Sequence, residues 1–128
     1  MAESLISPQR DENEGSVPDL WRPTFSLLVD SLVHRAPTIG EGLPGVEPVP
    51  DAVREQCLSA VDNYGDVDLV PLPQETWQTS VAAWRGDHWL CLIDLWTEQE
   101  GRSDLVLEAE VRQQEPGFCF TVNMVYVP

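Results

Sequence analysis

The spacing of the apolar residues changes once along this chain, near residue 75, and this change restricts the folds open to it. Before that position, two stretches repeat their apolar residues every three or four positions, which is the period of an amphipathic helix. The first stripe is Phe25, Leu28, Val29, Leu32, Val33 and Ala36, and the second is Val53, Cys57, Ala60, Val61 and Tyr64. After that position, apolar and polar residues alternate, which is the period of a half-buried strand. The sequence therefore predicts two helices followed by an antiparallel sheet.

Local signals predict where both helices begin and end. Pro23 suits the first helical turn, since its missing N–H would have no partner there, and Pro37 ends the first helix. Asp51 is the expected N-cap of the second helix, and Gly65 follows its last turn. Residues 37–50, between the helices, contain four prolines and three glycines. That composition predicts a loop with turns.

The alternating pattern predicts strands at residues 80–85, 88–97, 103–112 and 118–127. Gly86 and Asp87 separate the first two segments, which predicts a two-residue hairpin loop of type II′. The segment 88–97 is apolar on both faces apart from Asp94, which predicts a central strand covered on each side. We expect an α+β fold in which two N-terminal helices pack on a long-stranded antiparallel β-meander of three to four strands. Cystatin-like and NTF2-like proteins share this plan by analogy.

The chain divides into a tail and one domain. Residues 1–17 have few apolar residues and an excess of Pro, Ser, Glu and Asn, which predicts a disordered acidic tail. Residues 18–128 are long enough to form a single α+β domain with a core that needs no metal or disulfide. Cys57, Cys91 and Cys119 are odd in number and lack C-x-x-C spacing, so we expect buried thiols and no metal or cofactor.

The charge of the chain bears on its partners. It has 22 acidic residues against 7 basic ones, all arginine, for a net charge of −15. Nucleic acids and anionic membranes are therefore unfavourable partners, because both repel an acidic surface. The same charge favours a basic protein partner. The first fifteen residues lack the apolar run of a signal peptide, and no segment is long enough to span a bilayer, which predicts a cytoplasmic protein.

The densest polar segment of the predicted domain is residues 94–105. Its candidate binding residues, together with one nearby tryptophan, are Asp94, Trp96, Glu98, Glu100, Arg102, Asp104 and Trp84. Arg102 stands among carboxylates, so one interpretation is an ion pair that rigidifies the hairpin. The alternatives are an acidic epitope for a basic partner, or an acid–base pair formed by Asp94 and Glu98.

Asp94 is unusual because it interrupts an apolar strand. An ionised carboxylate buried without a partner is costly, so Asp94 is expected to be paired, protonated or directed into a wet concavity. One hypothesis pairs it with an arginine on the exposed face of the sheet: Arg85, Arg102 or Arg112. A second hypothesis places it with Trp96 and Trp84 in a small-ligand pocket, since aromatic walls around a few polar groups are typical of such sites.

No sequence motif assigns an activity. The nucleotide-binding, zinc-hydrolase and serine-hydrolase motifs are missing, so we predict no catalytic residues. The leading hypothesis is a non-enzymatic acidic protein-binding domain, such as an immunity protein or an inhibitor of a basic partner. One alternative is a small-ligand-binding domain, or more remotely an enzyme, with a cavity between helices and sheet. Another is an uncharacterised soluble accessory domain whose acidity maintains solubility. The oligomeric state is not predicted.

Several motifs in residues 50–128 are shared with a known group of proteins. They are VDNYG at 61–65, the tryptophans Trp77, Trp84, Trp89 and Trp96, WTE at 96–98, GRSDL at 101–105 and the closing VYVP at 125–128. With these motifs the chain resembles a family of small bacterial proteins classed only as a domain of unknown function. The resemblance implies a bacterial origin and a compact domain with a variable N-terminal part, and it carries no activity.

Overall fold

The structure is a computed structural model that describes residues 14–128. Within these residues it contains two α-helices and one five-stranded antiparallel sheet, whose strands follow chain order. The helices are α1 (Arg22–Val33) and α2 (Asp51–Tyr64). The strands are β1 (Glu14–Ser16), β2 (Val81–Trp84), β3 (Trp89–Thr97), β4 (Gly101–Gln114) and β5 (Gly117–Tyr126). The predicted α+β plan of two helices with an antiparallel meander is confirmed, although the sheet has more strands than expected.

Both helices form where the apolar stripes predict them. Pro23 lies in the first turn of α1, as expected, and the side chains that α1 buries are Phe25, Leu28, Val29 and Leu32. Helix α2 has Pro50 as its N-cap, and Asp51 is its first helical residue. The expected cap at Asp51 was therefore wrong by one position. The Asp51 carboxylate still lies in the first turn, where a negative charge complements the helix dipole.

Strand β1 is a strand that the sequence pattern did not predict. It pairs with β2, with Gly15 opposite Ala82, and the next residue after the strand, Val17, is fully buried. The expected tail was therefore too long by residues 14–17, and residues 1–13 lie outside the described residues. A three-residue strand with a central glycine has no alternation to detect. Strand β1 forms because its main chain pairs with the edge of β2, which lies far along the chain.

The two faces of the sheet have different surroundings. On β3, Trp89, Cys91, Ile93, Leu95 and Thr97 are buried on the face that packs against the helices, here called the core face. The residues between them are only half-buried on the opposite face, here called the open face. Within residues 14–128, the predicted cover on both sides of this strand is provided by the helices on the core face alone, because the buried residues of both helices belong to the core-face cluster.

Aromatic side chains fill the layer between the helices and the sheet. The ring centroid of Trp21 lies 5.1 Å from that of Trp89 and 5.4 Å from that of Phe118, in edge-to-face arrangements. Phe25 of α1 lies 5.6 Å from Phe120 of β5. Such aromatic pairs contribute about 0.5–1.5 kcal/mol each beyond their buried area. These aromatic side chains belong to, or pack against, the core cluster that includes residues of both helices and of the sheet.

The outer edge of β5 is covered by two different segments. The Gln56 amide nitrogen donates to the Val125 carbonyl (2.7 Å), and the Val125 N–H donates to the Gln56 carbonyl oxygen (3.0 Å). Further along the strand, the Phe120 N–H donates to the Gly45 carbonyl (2.8 Å), and the Glu47 N–H donates to the Phe120 carbonyl (2.9 Å). These contacts satisfy main-chain groups that an edge strand otherwise leaves available for pairing with another chain.

Buried hydroxyls continue the ladder of β3 beyond the end of β2. The Asp94 N–H donates to the Ser80 hydroxyl (2.9 Å), and the Thr76 hydroxyl donates to the Asp94 carbonyl (2.7 Å). Thr76 is fully buried, and Ser80 nearly so. The main chain at Asp94 is therefore held in place by side chains that precede β2.

The connections between strands are short. Gly86 and Asp87 form the two-residue loop between β2 and β3, closed by the Arg85 N–H donating to the His88 carbonyl (2.8 Å). Gly86 has a φ of +98°, which a side chain would oppose. This loop was predicted from the glycine at its first position.

Candidate functional site

The loop between β3 and β4 is ordered by Thr97. The Thr97 hydroxyl accepts a hydrogen bond from the Glu100 N–H (3.0 Å) and approaches the Glu100 carboxylate at 3.4 Å. Gly101 follows with a φ of +78°, which allows the chain to reverse into β4. A threonine that bonds to the main chain three residues later is a local turn device that the sequence itself encodes.

Tyr64, the last residue of α2, joins the helix to this hairpin. Its hydroxyl donates to the Glu100 carboxylate (3.1 Å) and accepts the Asp104 N–H (3.2 Å). The Asp104 N–H bond lowers the pKa of Tyr64, but burial and the nearby Glu100 and Asp104 carboxylates together raise that pKa above its ordinary value of 10.0. The hydroxyl therefore stays protonated at neutral pH and remains a hydrogen-bond donor.

Asp68 approaches the same loop from the segment after α2. The Glu98 N–H donates to the Asp68 carbonyl (2.9 Å), and the Asp68 N–H donates to the Gln99 side-chain oxygen (2.9 Å). The Gln99 amide nitrogen donates in turn to the Asp68 carboxylate (3.0 Å). Three separate segments of the chain thus meet at this end of the molecule.

These contacts define a surface that we name the acidic hairpin end, composed of Tyr64, Asp68, Glu98, Glu100 and Asp104. All four of its acidic residues are exposed. The ion pairs within residues 14–128 are Arg22–Asp19, Arg35–Asp62, His88–Asp87 and Arg112–Glu110. None of them involves an acidic residue of this surface, so within the described part of the chain its negative charge is not neutralised by an ion pair.

Within residues 14–128, Arg102 does not form the ion pair that its position in the sequence predicted. It is exposed and lies directly opposite Trp96 in the β3–β4 ladder. The Glu100 carboxylate is instead held by hydroxyls, from Tyr64 and Thr97. Among the residues that the structure describes, the hairpin is therefore stabilised by hydrogen bonds rather than by an Arg102 salt bridge.

Asp94 has a hydroxyl partner rather than an arginine. Its half-buried carboxylate accepts a hydrogen bond from the Thr79 hydroxyl. Neither Arg85, Arg102 nor Arg112 forms an ion pair with Asp94 within residues 14–128, so the arginine-pairing hypothesis was wrong for this part of the chain. The side-chain partner that the structure gives this carboxylate is Thr79, which precedes β2.

Asp94 and Glu98 are not arranged as an acid–base pair. Three residues lie between them, and four steps of extended chain at about 3.3 Å each would space their Cα atoms about 13 Å apart. Carboxylate pairs in glycosidases lie about 5–9.5 Å apart. In the structure the Asp94 carboxylate has the Thr79 hydroxyl as its hydrogen-bond partner, and no hydrogen bond joins it to Glu98 within residues 14–128.

The pocket hypothesis for three of the candidate residues also fails on geometry. Asp94 and Trp96 are half-buried on the open face, and the Trp96 indole N–H finds no hydrogen-bond acceptor within residues 14–128. Trp84 lies on the core face, where its ring centroid is 4.6 Å from that of Trp89. The register of β2 on β3 places Trp84 on the opposite side of the sheet from Asp94 and Trp96.

Sequence reasoning did not identify Tyr64, Asp68 or Gln99 as parts of a site. Tyr64 continues the apolar stripe of α2, so the pattern assigned it to the core, and it does pack partly against the core. Its hydroxyl reaches out of the core to the hairpin. The closely spaced acidic residues that follow α2 were the available signal for Asp68, but nothing in the sequence indicated that they approach residues 98–100.

Comparison with known proteins gives one family match. The model of a family described as a domain of unknown function, DUF7668, matches residues 29–128, which include α2 and strands β2 to β5. No curated protein and no solved structure matches the chain. Neither helix in the described part of the chain has the length and apolar character needed to cross a membrane.

Proposed function

This chain belongs to the DUF7668 family, whose description assigns no activity, and we propose that it is a non-enzymatic binding protein for a basic protein partner. In this proposal the protein acts in the bacterial cytoplasm, as an immunity protein or as an inhibitor of that basic partner. The acidic hairpin end is the surface that contacts the partner. The observation that carries the proposal is the set of four exposed carboxylates gathered there without an ion pair among residues 14–128.

Hydrogen bonds hold two of the four carboxylates of this surface and the main chain of a third acidic residue. Glu100 is hydrogen-bonded to Tyr64, Asp68 is hydrogen-bonded to Gln99, and the Asp104 main chain is hydrogen-bonded to Tyr64. Binding through groups that are already ordered loses less conformational entropy than binding through mobile side chains. This arrangement favours recognition of cationic groups at defined positions over a purely diffuse attraction.

The net charge of −15 supports the same partner chemistry. A strongly acidic protein attracts a basic one over roughly the Debye length, which is about 8 Å at physiological salt. Charge complementarity mainly raises the association rate, and this advantage decreases as salt is added. We therefore expect partner binding whose association slows with ionic strength.

The proposal is tested by affinity capture of tagged protein from a lysate of its source organism, followed by a salt series and mass spectrometry. A charge-reversed variant, E98K/E100K/D104K, changes the acidic hairpin end. The matched control, E41K/E55K/E115K, reverses three exposed carboxylates elsewhere and changes the net charge by the same amount. Circular dichroism checks that both variants fold.

We expect the wild type and the control variant to retain a stoichiometric basic protein. The E98K/E100K/D104K variant should capture at least about tenfold less of this protein, because loss of charge pairs at an interface commonly weakens binding by that much. If the two variants capture the partner equally, with the same salt dependence, the acidic hairpin end is not the binding surface. If the wild type retains no basic protein, the proposed function is wrong.

A further inference from the structure

We draw no further inference here: the strongest candidate, the half-buried open face of the sheet around Glu108 and Glu110, also carries Arg112, and nothing within residues 14–128 shows what covers it.

Discussion

Gln56 offers a sharp test of how this fold protects the edge of its sheet. Its side-chain amide makes two hydrogen bonds to the main chain of Val125, at 2.7 Å and 3.0 Å, in the place of a neighbouring strand. Val125 itself is fully buried. The substitution Gln56→Met keeps the length and much of the volume of the side chain but removes both hydrogen-bonding groups. It therefore isolates the contribution of the two bonds.

The expected loss of stability comes from the main-chain groups of Val125 that Gln56→Met leaves without their hydrogen-bond partner. Each buried main-chain group without a partner costs about 1–3 kcal/mol. The Val125 N–H keeps a weak acceptor in the Cys57 sulfur, so its cost falls at the low end. We expect Gln56→Met to lower the free energy of unfolding by about 2–3 kcal/mol, which for a domain of this size lowers Tm by roughly 8–12 °C.

Urea denaturation and differential scanning calorimetry measure this loss. Gln99→Met is the matched control, because Gln99 also makes two side-chain hydrogen bonds, to Asp68, but in an exposed position. Water replaces exposed bonds, so the control should lose less than about 1 kcal/mol. Equal losses for Gln56→Met and Gln99→Met would refute the reasoning that α2 stabilises the sheet by satisfying its buried edge.

Two further predictions concern a close approach and two buried thiols. Gly42 and Gly45 have φ values of +78° and +77°, but a Cβ on Gly45 would lie 2.6 Å from the Phe118 carbonyl oxygen, whereas a Cβ on Gly42 would meet no atom within 4 Å. In urea denaturation, Gly42→Ala should cost about 1 kcal/mol and Gly45→Ala about 2–4 kcal/mol, and equal costs would contradict the contact. Burial raises the pKa of Cys57 to about 11 and of Cys91 to about 12, from 9.0. The two thiols ionise at a lower pH in the unfolded chain than in the folded protein. Burying them as neutral groups therefore adds its full contribution to the free energy of unfolding below pH 9, and this contribution is lost as the pH rises towards the folded pKa values. Urea denaturation across this range should show a shallower fall in C57A/C91A than in the wild type, and identical slopes would refute the assignment.

Sequence periodicity was sufficient for the elements whose signals are local. The stripe from Phe25 to Val33 predicted α1, and the glycine in the Gly86–Asp87 loop predicted the hairpin between β2 and β3. Each of these signals lies within one helix or one turn, where 3.6-residue or two-residue periods and φ preferences act directly. Strand β1 has no such signal, because its three residues are defined by their pairing with β2.

The candidate site was predicted only in part for the same reason. Glu98, Glu100 and Asp104 were recognised as an acidic segment, and the structure places them on one exposed surface. Arg102 was expected to neutralise them because it is adjacent in sequence. In the structure it lies beside Trp96 instead, since cross-strand register, and not distance along the chain, decides which side chains meet.

The sequence by itself determined the types of the elements and the charge of the molecule. Helical and strand periods, turn glycines and the excess of carboxylates are properties of short windows or of composition. Only the tertiary structure decided that Tyr64 contacts the hairpin, that Asn123 joins Glu108 to Glu110, and that, within residues 14–128, both helices pack their buried residues on the same face of the sheet. These arrangements depend on the register of β4 with its neighbours and on which edge α2 covers. A shift of one residue would send every side chain of a strand to the opposite face.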